Sequence, residues 1–181
     1  MSIPNLITLG RILLVPVVVW AITAGEMRVA FSLFLAAGIT DAVDGFLAKR
    51  FEMRTELGAY LDPLADKAML VSIYIALGII EAVPRWLVIL VVSRDIMIVG
   101  AVILSWLVHR PIALKPLLVS KLNTVAQIAL AGTVLAALGF DLNAGLAIIA
   151  LTTLVAALTL ISIVFYVVEW MRHMNAAESG H

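Results

Sequence analysis

Four aspartates stand at regular spacing in one polar stretch of an otherwise apolar chain. Asp41 and Asp44 are three residues apart, and Asp62 and Asp66 are four apart, so each pair shares one face if its segment is helical. A short connection joins the two segments, so we expect them to be antiparallel neighbours and the four carboxylates to converge. These carboxylates repel one another, and a divalent cation relieves that repulsion. All-oxygen ligands favour Mg²⁺ or Mn²⁺, with Ca²⁺ as a further candidate. The pattern therefore predicts a metal site for one or two ions.

Basic residues surround the acidic stretch and indicate what the metal site would bind. Lys49, Arg50, Arg54 and Lys67 add positive charge around it. Gly45 directly follows the second aspartate and lets a ligand approach the backbone closely. Paired metal ions suit an in-line displacement at phosphorus. We therefore expect a pocket for a phosphate diester or a diphosphate.

The composition places this pocket in a membrane protein. The chain has 181 residues, of which 64% are hydrophobic and only 13% are charged, whereas soluble domains are about 45–50% apolar and about 25% charged. Cysteine is absent, which excludes disulfides, thiolate metal sites and a cysteine nucleophile. A net charge of +0 offers no basis for a nucleic-acid partner. We predict an all-α integral membrane protein, a single domain over residues 1–181, with the lipid bilayer as its partner.

Six apolar stretches are each long enough to cross a bilayer as a helix. With six transmembrane helices, both termini lie on the same side as the acidic stretch. Most basic residues fall on that side and only Arg28 and Arg85 fall opposite, so the positive-inside rule makes it the cytoplasmic side, or the matrix in a mitochondrion. We expect a multi-pass protein of the bacterial inner (plasma) membrane, with the active site at the cytoplasmic interface and a frayed tail after Trp170. The predicted spans are residues 4–23, 29–49, 58–80, 86–108, 117–138 and 144–170.

Several charged residues outside the acidic stretch admit two interpretations. Arg94 and Asp95 interrupt the fourth span and form either a structural ion pair or part of the site. Lys115 and Lys121, with Asn123, are either interfacial anchors or contacts to a substrate phosphate. Charges within a membrane span are costly and are functional candidates by default.

The full pattern resembles the signature of a known family. From Asp41 to Asp66 the chain reads D-x2-D-G-x2-A-K-x8-G-x3-D-x3-D, and seven of its eight defined positions are identical to those of the CDP-alcohol phosphotransferases. Lys49 departs from the pattern, because the family has arginine there. Lysine keeps the charge but loses bidentate phosphate binding, for which the neighbouring Arg50 is available.

The resemblance implies a six-helix membrane fold, a homodimer, and transfer of a phosphatidyl or similar group from a CDP-linked donor to an alcohol with release of CMP. It implies that Asp66 is the general base and also touches metal. The other metal ligands would be Asp41, Asp44 and Asp62, and the CDP pocket would be lined by Gly45, Ala48, Lys49 and Gly58.

The later spans bear on the acceptor alcohol. Residues 93–102 and 114–127 are more similar to mitochondrial-type cardiolipin synthases than to relatives that use glycerol phosphate. We therefore predict a CDP-diacylglycerol-dependent cardiolipin synthase with phosphatidylglycerol as acceptor. Phosphatidylglycerophosphate synthase, with glycerol 3-phosphate, is the alternative, followed by phosphatidylserine or phosphatidylinositol-type synthesis. Outside this class stand a small ion or proton transporter and a metal-binding structural protein. The predicted contacts to acceptor phosphate are Arg50, Arg54, Arg94, Lys115 and Lys121.

Overall fold

Six α-helices account for almost all of the structure. The computed structural model describes residues 3–50, 56–107 and 118–178, with side chains at 9–41, 43, 65, 67–100, 118–168 and 171. Within these ranges no strand occurs, and the prediction of an all-α fold with six helices is confirmed. The helices are α1 Ile3–Thr23, α2 Met27–Arg50, α3 Glu56–Ile79, α4 Arg85–Leu107, α5 Leu118–Phe140 and α6 Gly145–Glu178.

Tight turns join helices at the end of the bundle away from the acidic stretch. Gly25, Glu81 and Asp141 have left-handed φ angles of 82°, 61° and 52°, which end the preceding helices. After α5, the amide of Leu142 donates to the carbonyl of Ala137 at 3.0 Å and closes the last turn. These turns are short, so successive helices run in opposite directions.

The last helix is longer than the sequence predicts. We expected a frayed tail after Trp170, but α6 continues to Glu178. No glycine or proline lies between these two residues, and alanine, methionine and glutamate all favour the helical backbone. The expectation of a frayed segment there was wrong.

Helices α1 and α5 each pack against both α2 and α3. Helix α1 packs against α2 and α3, and α5 packs against α2, α3 and α6, while α4 packs against α3 and α6. We expected α2 and α3 to be direct neighbours. In the described ranges their backbones do not pack against each other. Instead both lie against α1 and α5, because a cavity separates them.

Apolar side chains fill the contacts between helices and also cover the outer surface. Large apolar residues such as Leu13, Ile89 and Leu146 are more than half exposed, at 66%, 66% and 85%. In the described residues, two helices are long and apolar enough to span a membrane, Leu118–Phe140 and Gly145–Val168. Shorter apolar segments occur at Leu9–Thr23 and Lys67–Ile79. The core includes Val18, Ile22, Ala30, Ala37, Ile73, Leu77, Leu87, Val91, Leu130, Val134 and Val155.

Replacement of Gly78 by alanine is expected to destabilise the contact between α3 and α4. A Cβ atom at this position would lie 2.8 Å from Cγ2 of Val88, and valine is stiff at χ1. We expect a loss of about 1–3 kcal/mol, the usual cost of overpacking, measured as a lower thermal midpoint of the purified protein in detergent. Gly100→Ala is the matched control, since no atom lies within 4 Å of its added Cβ. Val88→Ala should restore part of the lost stability in the Gly78→Ala protein; strictly additive losses would contradict the steric explanation.

Candidate active site

A cavity of about 660 Å³ lies between α1, α2, α3 and α5. Most of its wall is apolar, formed by residues such as Phe34 and Ile39 of α2, Leu70 of α3 and Ile128 of α5. Among the described side chains, three charged ones also line it, one from each of the first three helices: Arg11, Asp41 and Lys67. An apolar chamber with a charged part fits an amphipathic molecule.

Arg11 and Asp41 form an ion pair on the cavity wall. The Nη1 atom of Arg11 lies 2.7 Å from Oδ1 of Asp41. The arginine side chain is only 4% exposed, whereas that of Asp41 is 46% exposed. The pair compensates the buried guanidinium charge and orients the aspartate, the first residue of the predicted metal site, toward the cavity.

Lys67 belongs to a second charged cluster, between α3 and α4. Its Nζ atom lies 2.7 Å from Oδ1 of Asp95, and Nη1 of Arg94 lies 2.6 Å from the same oxygen. Asp95 is 5% exposed and Arg94 is 1% exposed, while Lys67 keeps 31% of its side chain exposed. Lys67 is therefore the member of this cluster that reaches the cavity.

Arg94 connects three helices in the interior. Its guanidinium donates to the hydroxyl oxygen of Ser162 at 3.0 and 3.1 Å and to that of Ser120, and it lies 5.8 Å from the ring centroid of Tyr166. The side chain is buried and is not among the residues lining the cavity. This geometry supports the structural ion-pair interpretation of Arg94 and Asp95. A contact from Arg94 to acceptor phosphate, as predicted from the sequence, would require these hydrogen bonds to break.

Helix α5 is held by buried polar contacts with α3 and α6. The Thr159 hydroxyl donates to Oδ1 of Asn123 at 3.1 Å, and the Tyr74 hydroxyl donates to the carbonyl of Gln127 at 3.1 Å. Asn123, one candidate interfacial anchor, is therefore an interior residue. These contacts set the rotation of α5 that places Thr124 and Ile128 on the cavity wall.

Most of the other predicted site residues lie outside the described side chains. Lys121 is described; it is exposed on α5 and does not line the cavity. Arg54 and Lys115 are outside the described residues altogether. The rest lie on α2 or α3 but their side chains are not described: Asp44, Gly45, Ala48, Lys49, Arg50, Gly58, Asp62 and Asp66.

Of the four predicted metal ligands, Asp41 is the one whose side chain the structure describes. Asp41 offers a half-exposed carboxylate on the cavity wall. The assignment of the other three aspartates as metal ligands stays a prediction. Carboxylate oxygens are the ligands that Mg²⁺ and Mn²⁺ prefer, so the chemistry of the set agrees with such an ion.

Arg11 is a cavity residue that the sequence pattern does not assign to the site, whereas Lys67 is one of the basic residues predicted to surround it. The sequence does contain an indication that Arg11 is functional, because it is a lone charge in the first apolar span. Lys67 directly follows Asp66 in the sequence, but its partner Asp95 lies 28 residues away. Sequence spacing gives no indication of that pairing.

Comparison with known proteins finds one matching family model and several similar relatives. The family model described as CDP-alcohol phosphatidyltransferase matches residues 1–168. The chain is 36% identical to "Cardiolipin synthase (CMP-forming)" of Rattus norvegicus over 77% of its length, and 35% identical to "Probable cardiolipin synthase (CMP-forming)" of Drosophila melanogaster over 76%. It is 31% identical to "Probable phosphatidylglycerophosphate synthase" of Mycobacterium tuberculosis over 96%.

These relatives differ in how much of their own length is matched. The chain spans about half the length of the two cardiolipin synthases, 52% for the rat protein and 48% for the fly protein. It spans 84% of the mycobacterial protein.

Proposed function

This chain belongs to the CDP-alcohol phosphatidyltransferase family, and on that basis we propose that it transfers a phosphatidyl group from CDP-diacylglycerol to an alcohol and releases CMP. The observation that carries the proposal is the family match over residues 1–168, which includes the whole acidic pattern from Asp41 to Asp66. Relatives named as CMP-forming synthases support the same reaction.

The cavity supports a substrate that is both apolar and anionic. Its wall combines aliphatic and aromatic side chains with the basic residues Arg11 and Lys67. A phospholipid carries acyl chains joined to a phosphate, so both parts find complementary chemistry there. An ion path would instead need polar groups along its length, and the predicted acidic ligands stand at one end of α2 and α3.

We assign the chemical step to Asp66 and the acceptor hydroxyl. Asp66 accepts the hydroxyl proton, and the oxygen forms a bond to the phosphorus that carries diacylglycerol. The bond from that phosphorus to the bridging oxygen breaks, and CMP leaves with the electron pair. Mg²⁺ or Mn²⁺, as one or two ions held by Asp41, Asp44, Asp62 and Asp66, would stabilise the negative charge of the diphosphate. Gly45, Ala48, Lys49 and Gly58 are the proposed CDP contacts.

We take phosphatidylglycerol as the acceptor, which makes the protein a cardiolipin synthase. The supporting observations are the relatives of that name and the residues of spans four and five. Glycerol 3-phosphate is the second candidate, and the similar length of the mycobacterial phosphatidylglycerophosphate synthase favours it. The proposed direct contacts to acceptor phosphate remain Arg50, Arg54, Lys115 and Lys121. Arg94 is buried and holds Asp95 from the interior.

We propose that all six helices cross the membrane and form one domain over residues 1–181, with both termini and the site at the cytoplasmic face of a bacterial inner membrane. Two helices of sufficient length and apolarity, and large apolar side chains on the outside of the bundle, support membrane association. A homodimer is proposed from the family resemblance.

An assay of CMP release tests the reaction and the acceptor together. Purified protein with CDP-diacylglycerol and Mg²⁺ or Mn²⁺ is offered phosphatidylglycerol, glycerol 3-phosphate, serine or inositol separately, and the lipid products are identified by mass spectrometry. We expect CMP and cardiolipin with phosphatidylglycerol. Phosphatidylglycerophosphate as the main product would select the second candidate. A folded protein that releases no CMP with any acceptor would contradict the proposed activity.

A further inference from the structure

The ammonium group of Lys67 is a charged group in the cavity that the proposed chemical step leaves without a role. Lys67 follows Asp66 on α3, lines the cavity and keeps 31% of its side chain exposed. Its Nζ atom donates to Oδ1 of Asp95 at 2.7 Å.

Within the described residues, this cluster holds two cations and one carboxylate. Oδ1 of Asp95 accepts from both Lys67 and Arg94, so two cations share one carboxylate. Arg94 and Asp95 are buried, so Lys67 is the described member of the cluster whose charge reaches the cavity. Across the cavity, Arg11 and Asp41 pair with each other. A cation on an apolar cavity wall is costly to desolvate, and an anion in the cavity offsets that cost.

The network also fixes where the ammonium group lies. Arg94 is bonded to Ser120 of α5 and Ser162 of α6 and contacts the ring of Tyr166. Asp95 is held in turn by Arg94 at 2.6 Å. A lysine side chain has high rotational freedom, so a fixed carboxylate that holds Nζ reduces the entropy lost when a ligand binds.

We propose that Lys67 binds a phosphate oxygen of the substrate in the cavity, and that Asp95, held by Arg94, is the positioning residue for its ammonium group. This inference rests on the proposed function. The shared chemistry is a phosphate group, carried either by the diphosphate of CDP-diacylglycerol or by the acceptor. Lys67 contacts one of the two.

The test compares the KM values for donor and acceptor in Lys67→Met, Lys67→Arg and Asp95→Asn. Lys67→Met keeps the apolar stem and leaves Arg94 and Asp95 as a balanced pair, so the protein should fold. We expect its KM for one substrate to rise by about tenfold or more, the effect of losing one charge-assisted hydrogen bond, with the other KM within about twofold. Lys67→Arg should recover part of the loss. Arg85→Met, an exposed cation replaced at the opposite end of the bundle, is the control and should change neither KM.

The positioning role of Asp95 has its own readout. Asp95→Asn should raise the same KM as Lys67→Met, and the double variant should be no worse than Lys67→Met alone. A folded Lys67→Met protein with both KM values unchanged, or with equal rises in both, would overturn the assignment of Lys67. Additive effects of the two substitutions would overturn that of Asp95. Wild-type protein that forms no CMP would instead contradict the proposed function. In that case the role of Lys67 is decided by calorimetry, in which CDP-diacylglycerol or phosphatidylglycerol in bicelles is titrated into wild type and into Lys67→Met.

Discussion

Replacement of Asp66 by asparagine is expected to lower the rate of CMP release by about 10²–10⁴-fold, the usual contribution of a general base. Asparagine has nearly the same shape but cannot accept the proton of the acceptor hydroxyl. The loss should appear in kcat with both substrates saturating, measured as initial CMP release by purified protein in detergent or bicelles.

Asp141→Asn is the matched control for this substitution. Asp141 lies in the turn after α5, roughly 25 Å along the helix from the cavity residue Thr124 at 1.5 Å per residue. Its φ of 52° is one that asparagine also adopts readily. We expect unchanged activity. If Asp66→Asn retained the wild-type kcat, Asp66 would not be the base, and a metal-binding structural role for the acidic pattern would gain support.

Removal of divalent metal is expected to abolish CMP release. The predicted ligands are four carboxylates, whose mutual repulsion is relieved by a cation, and the leaving diphosphate carries further negative charge. After EDTA treatment and desalting, activity should fall to background and return on titration with Mg²⁺ or Mn²⁺. Asp62→Asn should raise the metal concentration for half-maximal activity on the order of tenfold or more, because affinity depends on the number of charged ligands.

Direct binding separates metal affinity from catalysis. The free Mn²⁺ signal in electron paramagnetic resonance should report weaker binding by Asp62→Asn than by wild type. Glu81→Gln is the control, since Glu81 pairs with Arg85 in an exposed turn. Full activity of the EDTA-treated protein without added metal would contradict a metal-dependent reaction, whatever the titration showed.

Local patterns predicted the helices but not all of their limits. Hydrogen bonds within a helix join residues four apart, so helix formation depends on local sequence and can be predicted from it. The end of α6 was misplaced because its polar end was read as a frayed tail, whereas its residues favour helix through Glu178. The expected contact of α2 with α3 is not found in the part of the chain that the structure describes, for another reason. A short loop brings two helix ends together but does not decide what fills the space between the rest of the helices.

In the acidic stretch from Asp41 to Asp66, too, the sequence predicted local features and the packing of the helices decided the rest. Its spacing by itself determined the family and the predicted metal chemistry, because the residues that carry the signature stand within two helical segments. Only the tertiary structure decided that Arg11 pairs with Asp41, that Lys67 and Arg94 share one oxygen of Asp95, and that a cavity separates α2 from α3. These contacts join different helices. They depend on how each helix is rotated against its neighbours, and apolar packing over the whole bundle sets that rotation.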